Sequence, residues 1–406
     1  MTAHWPRPHR ISPIRVSAHT ATTATGAGVA ELRAALNAHR SGLVPNDFSH
    51  QSLHTWIGRV PGVEAVALPS ALVSWDCRNN RLAWLGLQAD GFLDAARAAR
   101  ERYGAQRVAV VIGTSTSSIG ETEEEYRKLG PNESLPAHLN PRVHTTHSPG
   151  MFVQAALGLE GPCFTLSTAC SSSAKGFASA ERLIRLGLVD AAIVGGVDSL
   201  CGSVLFGFNA LQLLSPEPCR PFDTRRNGIS IGEAAGFALL ERGGGRLNLL
   251  GHGESSDAFH MTSPHPQGLG AERALDDALA RAGIDIGAID YINLHGTASA
   301  QNDEVEAALI ARRFDDRVHA SSTKGFTGHT LGAAGIVEAA ICLLALEHGV
   351  LPGTVNTESL DPLCGPQIRL RPKHGNVRVA LSNSFGFGGN NCVLIFGRDD
   401  RPQVTR

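Results

Sequence analysis

The chain has 406 residues, of which 42% are hydrophobic and 18% charged, and its formal net charge is −2. This length allows a large core and two domain-sized units, while the small net charge argues against nucleic-acid and membrane-surface binding, which favour a strong basic bias. No apolar run of about 18 residues lacks glycine or polar breaks, so no membrane span is expected. The opening MTAHWPRPHRISP is basic but no apolar segment follows it, so no secretory signal is expected either.

Apolar runs and helical patterns alternate along the chain, which predicts an α/β fold with largely parallel sheets. The predicted buried strands are 106–115, 190–199, 288–296, 377–386 and 392–397. The predicted helices are 86–102, 171–187, 270–282 and 331–348. The segment 240–253 has the character of a junction, so we expect two units, 1–245 and 246–406, and the polar, proline-punctuated stretch 130–150 is expected to be a surface or subunit-facing insertion.

Cysteine usage is typical of a reducing compartment. Eight cysteines are spread over the chain without a C-x-x-C pair, which argues against zinc knuckles, redox motifs and a disulfide scaffold. They are Cys77, Cys163, Cys170, Cys201, Cys219, Cys342, Cys364 and Cys392. Most are expected to be inert core thiols, and the protein is expected to be cytoplasmic.

Cys170 is the candidate for a reactive thiol. It lies between the short strand pattern FTLST and a helical pattern that ends at Gly187, a plausible C-cap. At the N-terminal end of a helix, free backbone N–H groups and the helix dipole favour a thiolate, so a pKa below that of a free thiol is expected. These residues alone leave nucleophile and core thiol about equally supported.

Two histidines fall in similar settings. His295 ends a predicted strand, and His329 lies between a glycine-rich turn and a helix that opens with the small residues 332–335, suited to tight packing. The carboxyl ends of strands are where α/β folds place active sites. His144 and His147 have no partner at metal-ligand spacing and are expected to be ordinary loop residues, so no metal site is expected.

The segments around these residues resemble those of β-ketoacyl-acyl carrier protein synthases, the elongating condensing enzymes with a Cys-His-His site and a thiolase-like fold. TACSSSAKGFASAERLI resembles the nucleophile segment, HGTASAQNDEVE the first histidine segment, and STKGFTGHTLGAAGIVEA the segment of the lysine and the second histidine. The resemblance runs from about residue 106 to residue 397. It implies two similar α/β halves in a layered αβαβα arrangement, the first carrying the nucleophile and the second both histidines.

The resemblance implies a decarboxylative Claisen condensation. Cys170 takes an acyl chain as a thioester, and malonyl-acyl carrier protein then loses carbon dioxide. His295 and His329 would donate hydrogen bonds to the thioester oxygen, and the backbone N–H groups of Cys170 and Phe387 would form the oxyanion hole. Products are a β-ketoacyl-acyl carrier protein and CO2, and no free cofactor is expected because the substrates are carried on phosphopantetheine.

Further residues take weaker roles from the same resemblance. Lys324 and Glu338 would form an ion pair that orients His329, although a purely structural salt bridge is the alternative. Thr297 and Ser299 would bind the phosphopantetheine arm, with local turn capping as the alternative. The sequence GFGG at 386–389 precedes a strand rather than a helix, so it is not a dinucleotide loop; Phe387 in it would gate the acyl pocket.

Partner and pathway are expected from the resemblance as well. The implied partners are acyl carrier protein and a second subunit, either a copy of this chain or a chain-length-factor-like protein, met by the strand before the nucleophile helix and by residues 142–157. The run from Leu166 to Gly202 looks like ketosynthases of aryl polyene pigment clusters, with primary fatty-acid elongation as the other option.

Three rival functions have to be weighed. A non-catalytic chain-length partner lacks the nucleophile, whereas Cys170 and both histidines are present here. A thiolase needs a second catalytic cysteine, and Cys392 lies in a predicted strand, the wrong setting. A hydrolase-like acyltransferase stays open at this level. The family's usual opening strand pattern and its 60–85 region are not matched, which leaves the carrier-docking surface unassigned.

Overall fold

The computed structural model describes residues 8–48, 52–131, 133–134 and 140–400. The first seven residues of the opening segment and part of the 130–150 stretch therefore lie outside the described residues. Within the latter stretch, the end is not loop, because a helix begins at Ser148.

Fifteen strands occur in the described residues. In chain order they are β1 Ile14–Thr22, β2 Val44–Pro45, β3 Trp56–Gly58, β4 Val108–Gly113, β5 Cys163–Leu166, β6 Ala191–Asp198, β7 Ile231–Gly232, β8 Ala234–Glu241, β9 Leu247–Ser256, β10 Tyr291–Leu294, β11 His319–Ser322, β12 Val350–Leu351, β13 Lys373–His374, β14 Val379–Gly386 and β15 Asn390–Arg398.

Eleven α-helices accompany them. They are α1 Val29–Ala38, α2 Arg78–Gln88, α3 Phe92–Tyr103, α4 Ile119–Lys128, α5 Ser148–Leu157, α6 Ser172–Arg185, α7 Gly202–Ala210, α8 Leu269–Ala282, α9 Ala300–Arg313, α10 Lys324–Thr327 and α11 Ala334–His348. All five predicted strands are present, and α6, α8 and α11 match three of the four predicted helices.

The fold is thiolase-like, with two halves of the same topology. Ten strands form one sheet in the order β11-β10-β14-β15-β9-β1-β8-β6-β4-β5. In each half the first two pairings from the middle are antiparallel and the outer two are parallel. The halves meet through a short antiparallel contact of β1 with β9. The prediction of largely parallel sheets is therefore wrong, because in each half the last strand, β8 or β15, lies antiparallel to both of its neighbours.

The central helices α6 and α11 lie against each other between the two halves of the sheet. Their apolar residues join those of β1, β8 and β15 in one buried cluster. A second cluster packs α2, α3 and α5 on the first half, and a third packs α8 and α9 on the second. These five layers, αβαβα, confirm the predicted architecture.

The predicted helix 86–102 is in fact two helices. The chain breaks between α2 and α3 at Asp90, whose φ is 54°, and Gly91, whose φ is 70°. The Asp90 carboxylate accepts hydrogen bonds from the Val29 N–H (2.8 Å) and the Thr20 hydroxyl (2.7 Å). These contacts with β1 and α1 stabilise the break between the two helices. Because they come from distant parts of the chain, the local pattern of apolar residues does not predict them.

The stretch Leu331–His348 has a mean hydropathy of 1.6, apolar and long enough by composition to cross a bilayer. However, 89% of it is buried inside the protein, where α11 forms the middle layer. A helix that is apolar on all sides is what a central layer between two sheets requires.

Candidate active site

Cys170 lies in the turn between β5 and α6, two residues before the helix begins. The preceding residue, Ala169, has φ 53°, a left-handed conformation that turns the chain sharply into the helix. The side chain is 5% exposed. Backbone N–H groups of Phe387 and of Cys170 itself approach its sulfur. The two amides named for the oxyanion hole therefore converge on the reacting atom.

His329 reaches the same point from the turn between α10 and α11. Its Nε2 lies 2.9 Å from the Cys170 Sγ. Its backbone is held on both sides by the other half of the molecule: the His329 N–H donates to the Ser230 carbonyl (2.7 Å), and the Gly232 N–H donates to the His329 carbonyl (2.9 Å). Only glycine fits at 232, because a Cβ there would lie 2.2 Å from the Thr327 carbonyl oxygen.

His295 follows β10, and its ring lies nearly perpendicular to that of His329, with 5.5 Å between centroids. The buried Glu306 carboxylate accepts from the His295 N–H (2.8 Å) and the Gly296 N–H (2.7 Å). The side chain of Asn383 donates to the same carboxylate (3.0 Å). Glu306 thus positions the turn that carries His295. The residue lies in the segment HGTASAQNDEVE, but the sequence analysis gives it no role.

Lys324 is buried next to His295 and pairs with Glu338. Its Nζ donates to the Glu338 Oε1 (2.5 Å) and to the His295 carbonyl (2.5 Å), and lies 3.3 Å from the His295 Nδ1. An ammonium group only donates, so the Nδ1 is an acceptor and the Nε2 of His295 carries the hydrogen. The pair therefore contacts His295, whereas the sequence analysis predicts that it orients His329.

The predicted low pKa of Cys170 is wrong. Burial raises the pKa of the thiol to about 11, and the nearby Lys324 charge and the two backbone N–H groups offset this only in part. The same cause raises the pKa of the half-buried Cys163 to about 11 and that of Cys201 to about 12. A thiol with this pKa is neutral near pH 7, so Cys170 is distinguished from the other cysteines by its surroundings, which are His329, two backbone N–H groups and the cavity.

Both histidines are neutral. Burial, with the charge of Lys324 as a second cause, holds the pKa of His329 well below its usual value of 6.5. The pKa of His295 is lowered in the same way, again with burial first. The Nδ1 of His329 has no hydrogen-bond partner among the described residues, so its ring can take either neutral tautomer, unlike that of His295.

A cavity of about 370 Å³ leads to these three side chains. Thr297 and Ser299 line it together, and their hydroxyls lie 2.9 Å apart. The Ser299 N–H also donates to the Thr297 hydroxyl (3.3 Å), so turn capping and a place in the cavity wall occur together. The cavity is also lined by polar side chains that the sequence analysis does not single out: Gln212, Asn227, Thr262, Ser263, Gln301 and Asn302.

Phe387 lies at this cavity in the GFGG turn. Its ring stacks on that of Phe208 in α7, with 5.7 Å between centroids and an interplanar angle of 23°. The following Gly388 has φ 73° and its N–H donates to the Met261 carbonyl (2.8 Å). The turn is therefore connected both to α7 and to the loop after β9.

The reacting atoms of Cys170, His295 and His329 lie within 4.8 Å of one another, a spacing that would also suit a metal ion. The Lys324 ammonium group next to His295 opposes a second cation there by charge repulsion. His144 and His147, by contrast, bond to the hydroxyls of Thr122 (2.5 Å) and Thr165 (2.7 Å).

Comparisons with known proteins agree with this geometry. Residues 81–244 match the N-terminal domain of Beta-ketoacyl synthase and residues 248–358 match its C-terminal domain. Nodulation protein E of Rhizobium meliloti is 37% identical over 72% of this chain and 76% of its own length. A 3-oxoacyl-[acyl-carrier-protein] synthase 2 of the same species is 40% identical over 63% of this chain and 67% of its own.

Among solved structures, the ketosynthase ApeO of Xenorhabdus doucetiae, determined in complex with its chain length factor ApeC, superimposes with a TM-score of 0.88. It is 38% identical, and the match covers 97% of this chain and 100% of that one.

Proposed function

The chain belongs to the β-ketoacyl synthase family and is a condensing enzyme, and on that premise we propose that Cys170, His295 and His329 divide the decarboxylative Claisen condensation between them. The observation that carries the proposal is the placement of one neutral thiol, one histidine with a free tautomer and one with a fixed Nε2–H around a single cavity. Each of these groups suits a different step.

In the first half-reaction, Cys170 takes the acyl group from a carrier thioester. Since its thiol is neutral, the S–H proton has to move as the sulfur attacks, and the His329 Nε2 at 2.9 Å is placed to receive it. The tetrahedral oxyanion is stabilised by the N–H groups of Cys170 and Phe387. Collapse breaks the C–S bond to the carrier, whose thiolate takes the proton from the His329 Nε2 and leaves as a free thiol.

In the second half-reaction, the malonyl thioester loses its carboxylate as CO2, and the electron pair of the broken C–C bond forms an enolate. The Nε2–H of His295 is fixed by Lys324 and requires no reorganisation to donate to the enolate oxygen. His329 donates to the same oxygen as its Nε2–H tautomer, which the ring can adopt because its Nδ1 has no partner among the described residues. The enolate carbon then attacks the acyl carbonyl on Cys170, the bond between that carbon and the Cys170 sulfur breaks, and the Cys170 thiolate takes up one proton from solvent.

The arm of the carrier is proposed to lie along Thr297 and Ser299, whose hydroxyls face the cavity. The chemistry requires no free cofactor, because the phosphopantetheine thioester is the reacting group. Lys324 and Glu338 are positioning residues for His295.

We propose acyl carrier protein and a second ketosynthase-like subunit as partners. The edge strand β5 ends the sheet, and Phe164 in it is 47% exposed, so this strand is free to meet a second subunit. The ketosynthase ApeO was determined with its chain length factor, which favours a heterodimer of that kind; a homodimer is the alternative. Reduced, unpaired cysteines fit a cytoplasmic location.

For the pathway we propose chain elongation of the aryl polyene type, supported by the resemblance of residues 166–202 and by the 38% identity with ApeO. Primary fatty-acid elongation, favoured by the 40% identity with a 3-oxoacyl-[acyl-carrier-protein] synthase 2, is the second candidate. We also propose that the chain divides into the units 1–245 and 246–406. The two-fold topology of the sheet supports this division, because each unit contributes five of its ten strands.

Two rival functions fit the site less well. A thiolase would need a second reactive cysteine, and Cys392 is fully buried in β15. A non-catalytic chain-length partner would have no use for a thiol and a histidine 2.9 Å apart.

The test is incubation with an acyl carrier thioester followed by malonyl-acyl carrier protein. Intact-protein mass spectrometry should find one acyl adduct, mapped to the Cys170 peptide, and the second substrate should release CO2 and a β-ketoacyl-acyl carrier protein. An adduct on another cysteine, or acyl release to water without carbon–carbon bond formation, would contradict the proposal.

A further inference from the structure

Asp198, the last residue of β6, is a buried carboxylate that does not line the catalytic cavity. Its side chain is 0% exposed. Within the described part of the chain, every hydrogen bond that it accepts comes from a neutral donor. A buried carboxylate without a cation is costly unless such bonds stabilise it, so the groups that it holds in place indicate its role.

On one side, Asp198 binds the segment that follows β4. Its Oδ1 accepts from the hydroxyl of Thr114 (2.6 Å), from the N–H of Ser115 (2.8 Å), and from the N–H and the hydroxyl of Thr116 (both 2.8 Å). The strands β4 and β6 are parallel neighbours in the sheet. The carboxylate therefore fastens the ends of these two strands, both in the first half, to each other.

On the other side, Asp198 binds the second half. Its Oδ2 accepts from the N–H of Gly332 (2.6 Å), which lies three residues after His329. A Cβ at Gly332 would lie 2.8 Å from this oxygen, so the turn packs directly on the carboxylate. The preceding residue, Leu331, has φ 54°. A non-glycine residue in this conformation persists only where its surroundings hold it.

The ring of His329 depends on this turn for its position. Its Nδ1 has no hydrogen-bond partner among the described residues, so no bond at the second ring nitrogen fixes the imidazole, as is usual for a working histidine. The backbone of Ser230 and Gly232 holds His329 itself. Asp198 holds the far end of the same turn, and the Nε2 lies 2.9 Å from the Cys170 sulfur as a result of both anchors.

Resting on the proposed function, we infer that Asp198 is a positioning residue for His329: through the Gly332 N–H it fixes the turn and keeps the Nε2 within reach of the Cys170 thiol. The role requires a carboxylate rather than an amide. The Ser115 N–H lies 2.8 Å from Oδ1 and 2.9 Å from Oδ2. In either orientation, an asparagine would therefore turn its NH2 group, which cannot accept, towards an N–H donor.

The experiment measures the pH dependence of Cys170 acylation by an acyl-S-N-acetylcysteamine, in quenched flow, from about pH 6.5 to about pH 9. The variant is Asp198→Asn. The matched control is Asp223→Asn, since Asp223 is also 0% exposed and accepts from three backbone N–H groups outside the His329 turn. His329→Ala serves as the reference for a site without the base.

In the wild type the acylation rate should be nearly flat over this range, because a neutral imidazole takes the proton from a neutral thiol. Asp198→Asn should be slower by roughly tenfold or more near pH 7, since a small misplacement of a catalytic group costs this much. Its rate should also rise with pH, towards about tenfold per unit as in His329→Ala, because attack then depends on the small thiolate fraction. Asp223→Asn should keep the flat profile, even if it is less stable.

The slope distinguishes positioning from a general loss of structure. The other titratable groups around Cys170 and His329 are His295, Lys324 and Glu338, and neither Asp198→Asn nor Asp223→Asn changes them. A steeper profile in Asp198→Asn alone therefore reports that His329 no longer takes the thiol proton.

A second variant keeps the test independent of whether Asp198→Asn folds. Gly332→Ala retains the carboxylate but places a methyl group against it, so it should show the same steep profile. Flat profiles in both variants, or an equally steep one in Asp223→Asn, would overturn the inference. A wild type that forms no acyl adduct on Cys170, or whose rate already rises about tenfold per pH unit, would contradict the proposed function itself, which is a distinguishable outcome.

Discussion

The turn that carries Cys170 and the turn that carries His329 occupy the same place in the two halves. Each follows the outermost strand of its half, β5 or β11, and each leads into a central helix, α6 or α11. Each contains a non-glycine residue with positive φ, Ala169 at 53° and Leu331 at 54°. The two-fold topology thus brings two turns face to face, 2.9 Å apart at their side chains.

The two turns differ in their surroundings. The sulfur of Cys170 lies near backbone N–H groups, and burial raises the pKa of its thiol. Cys170 is therefore a neutral nucleophile that needs a base. The backbone N–H and carbonyl of His329 form hydrogen bonds with the backbone of Ser230 and Gly232 from the other half. Its Nδ1 has no hydrogen-bond partner among the described residues. Each turn is therefore contacted by the opposite half, the Cys170 turn through the Phe387 N–H and the His329 turn through residues 230–232. The chemistry consequently depends on how the two halves pack together.

Of the two single-histidine variants, His329→Ala is expected to have the larger effect, because it removes both the proton acceptor for Cys170 and one enolate donor. Acyl transfer and decarboxylation should each fall, the former by roughly a hundredfold and the latter by at least as much. Quenched-flow measurement of Cys170 acylation reports on acyl transfer, and CO2 release reports on decarboxylation. As a control, His144→Ala should leave both rates unchanged.

His295→Ala should act on one half-reaction only. CO2 release should fall by roughly a hundredfold or more, since one preorganised donor is lost, while acylation of Cys170 falls much less. Equal losses in both steps would show that His295 also handles the thiol proton. Because the two histidines act as a unit in decarboxylation, the double variant should resemble the worse single one.

Much of this site could be predicted from the sequence, because the motifs around Cys170, His295 and His329 are long and contiguous. Gly335 is an example: a Cβ there would lie 2.5 Å from the Ala174 backbone nitrogen, which is the tight helix packing predicted for residues 332–335. Gly187, predicted as the C-cap of α6, lies one residue beyond it: the C-cap is Leu186, and Gly187 follows with φ 72°.

The failures share one cause, which is that they depend on distant partners. The break at Asp90 depends on contacts with Thr20 and Val29. The pKa of Cys170 depends on burial that no local pattern records, and the antiparallel strands depend on which strand returns to the middle of the sheet. Lys324 contacts His295, which lies 29 positions earlier in the chain, whereas the sequence analysis connects this lysine with the nearby His329.

Alkylation sharpens the comparison through pH. Since the pKa of Cys170 is raised to about 11, its thiolate fraction should grow about tenfold per unit and the iodoacetamide rate should still be rising between pH 8 and 10. Cys170 should be labelled before Cys163, whose pKa is also about 11, because Cys170 lies on the cavity next to a base. A rate that is flat from pH 6 to 8 would indicate a thiolate–imidazolium pair instead.

Glu306→Gln should give the smallest effect, a few-fold loss in CO2 release, because one of two acceptors for the His295 turn is retained. Burial raises the pKa of Glu306 to about 7, so the folded protein binds this proton more tightly than the unfolded chain. Its contribution to stability therefore grows as pH falls from about 8 towards 5. Denaturant unfolding of wild type and variant at these pH values should show a smaller pH slope for the variant.

The central claim, that the first half captures the acyl group and the second half drives decarboxylation, is tested most directly with Cys170→Ala. This variant should form no acyl adduct by intact-protein mass spectrometry, yet release CO2 from malonyl-acyl carrier protein at a rate within a few-fold of wild type. If Cys170→Ala instead loses CO2 release as completely as His295→Ala does, the division between the two halves is contradicted.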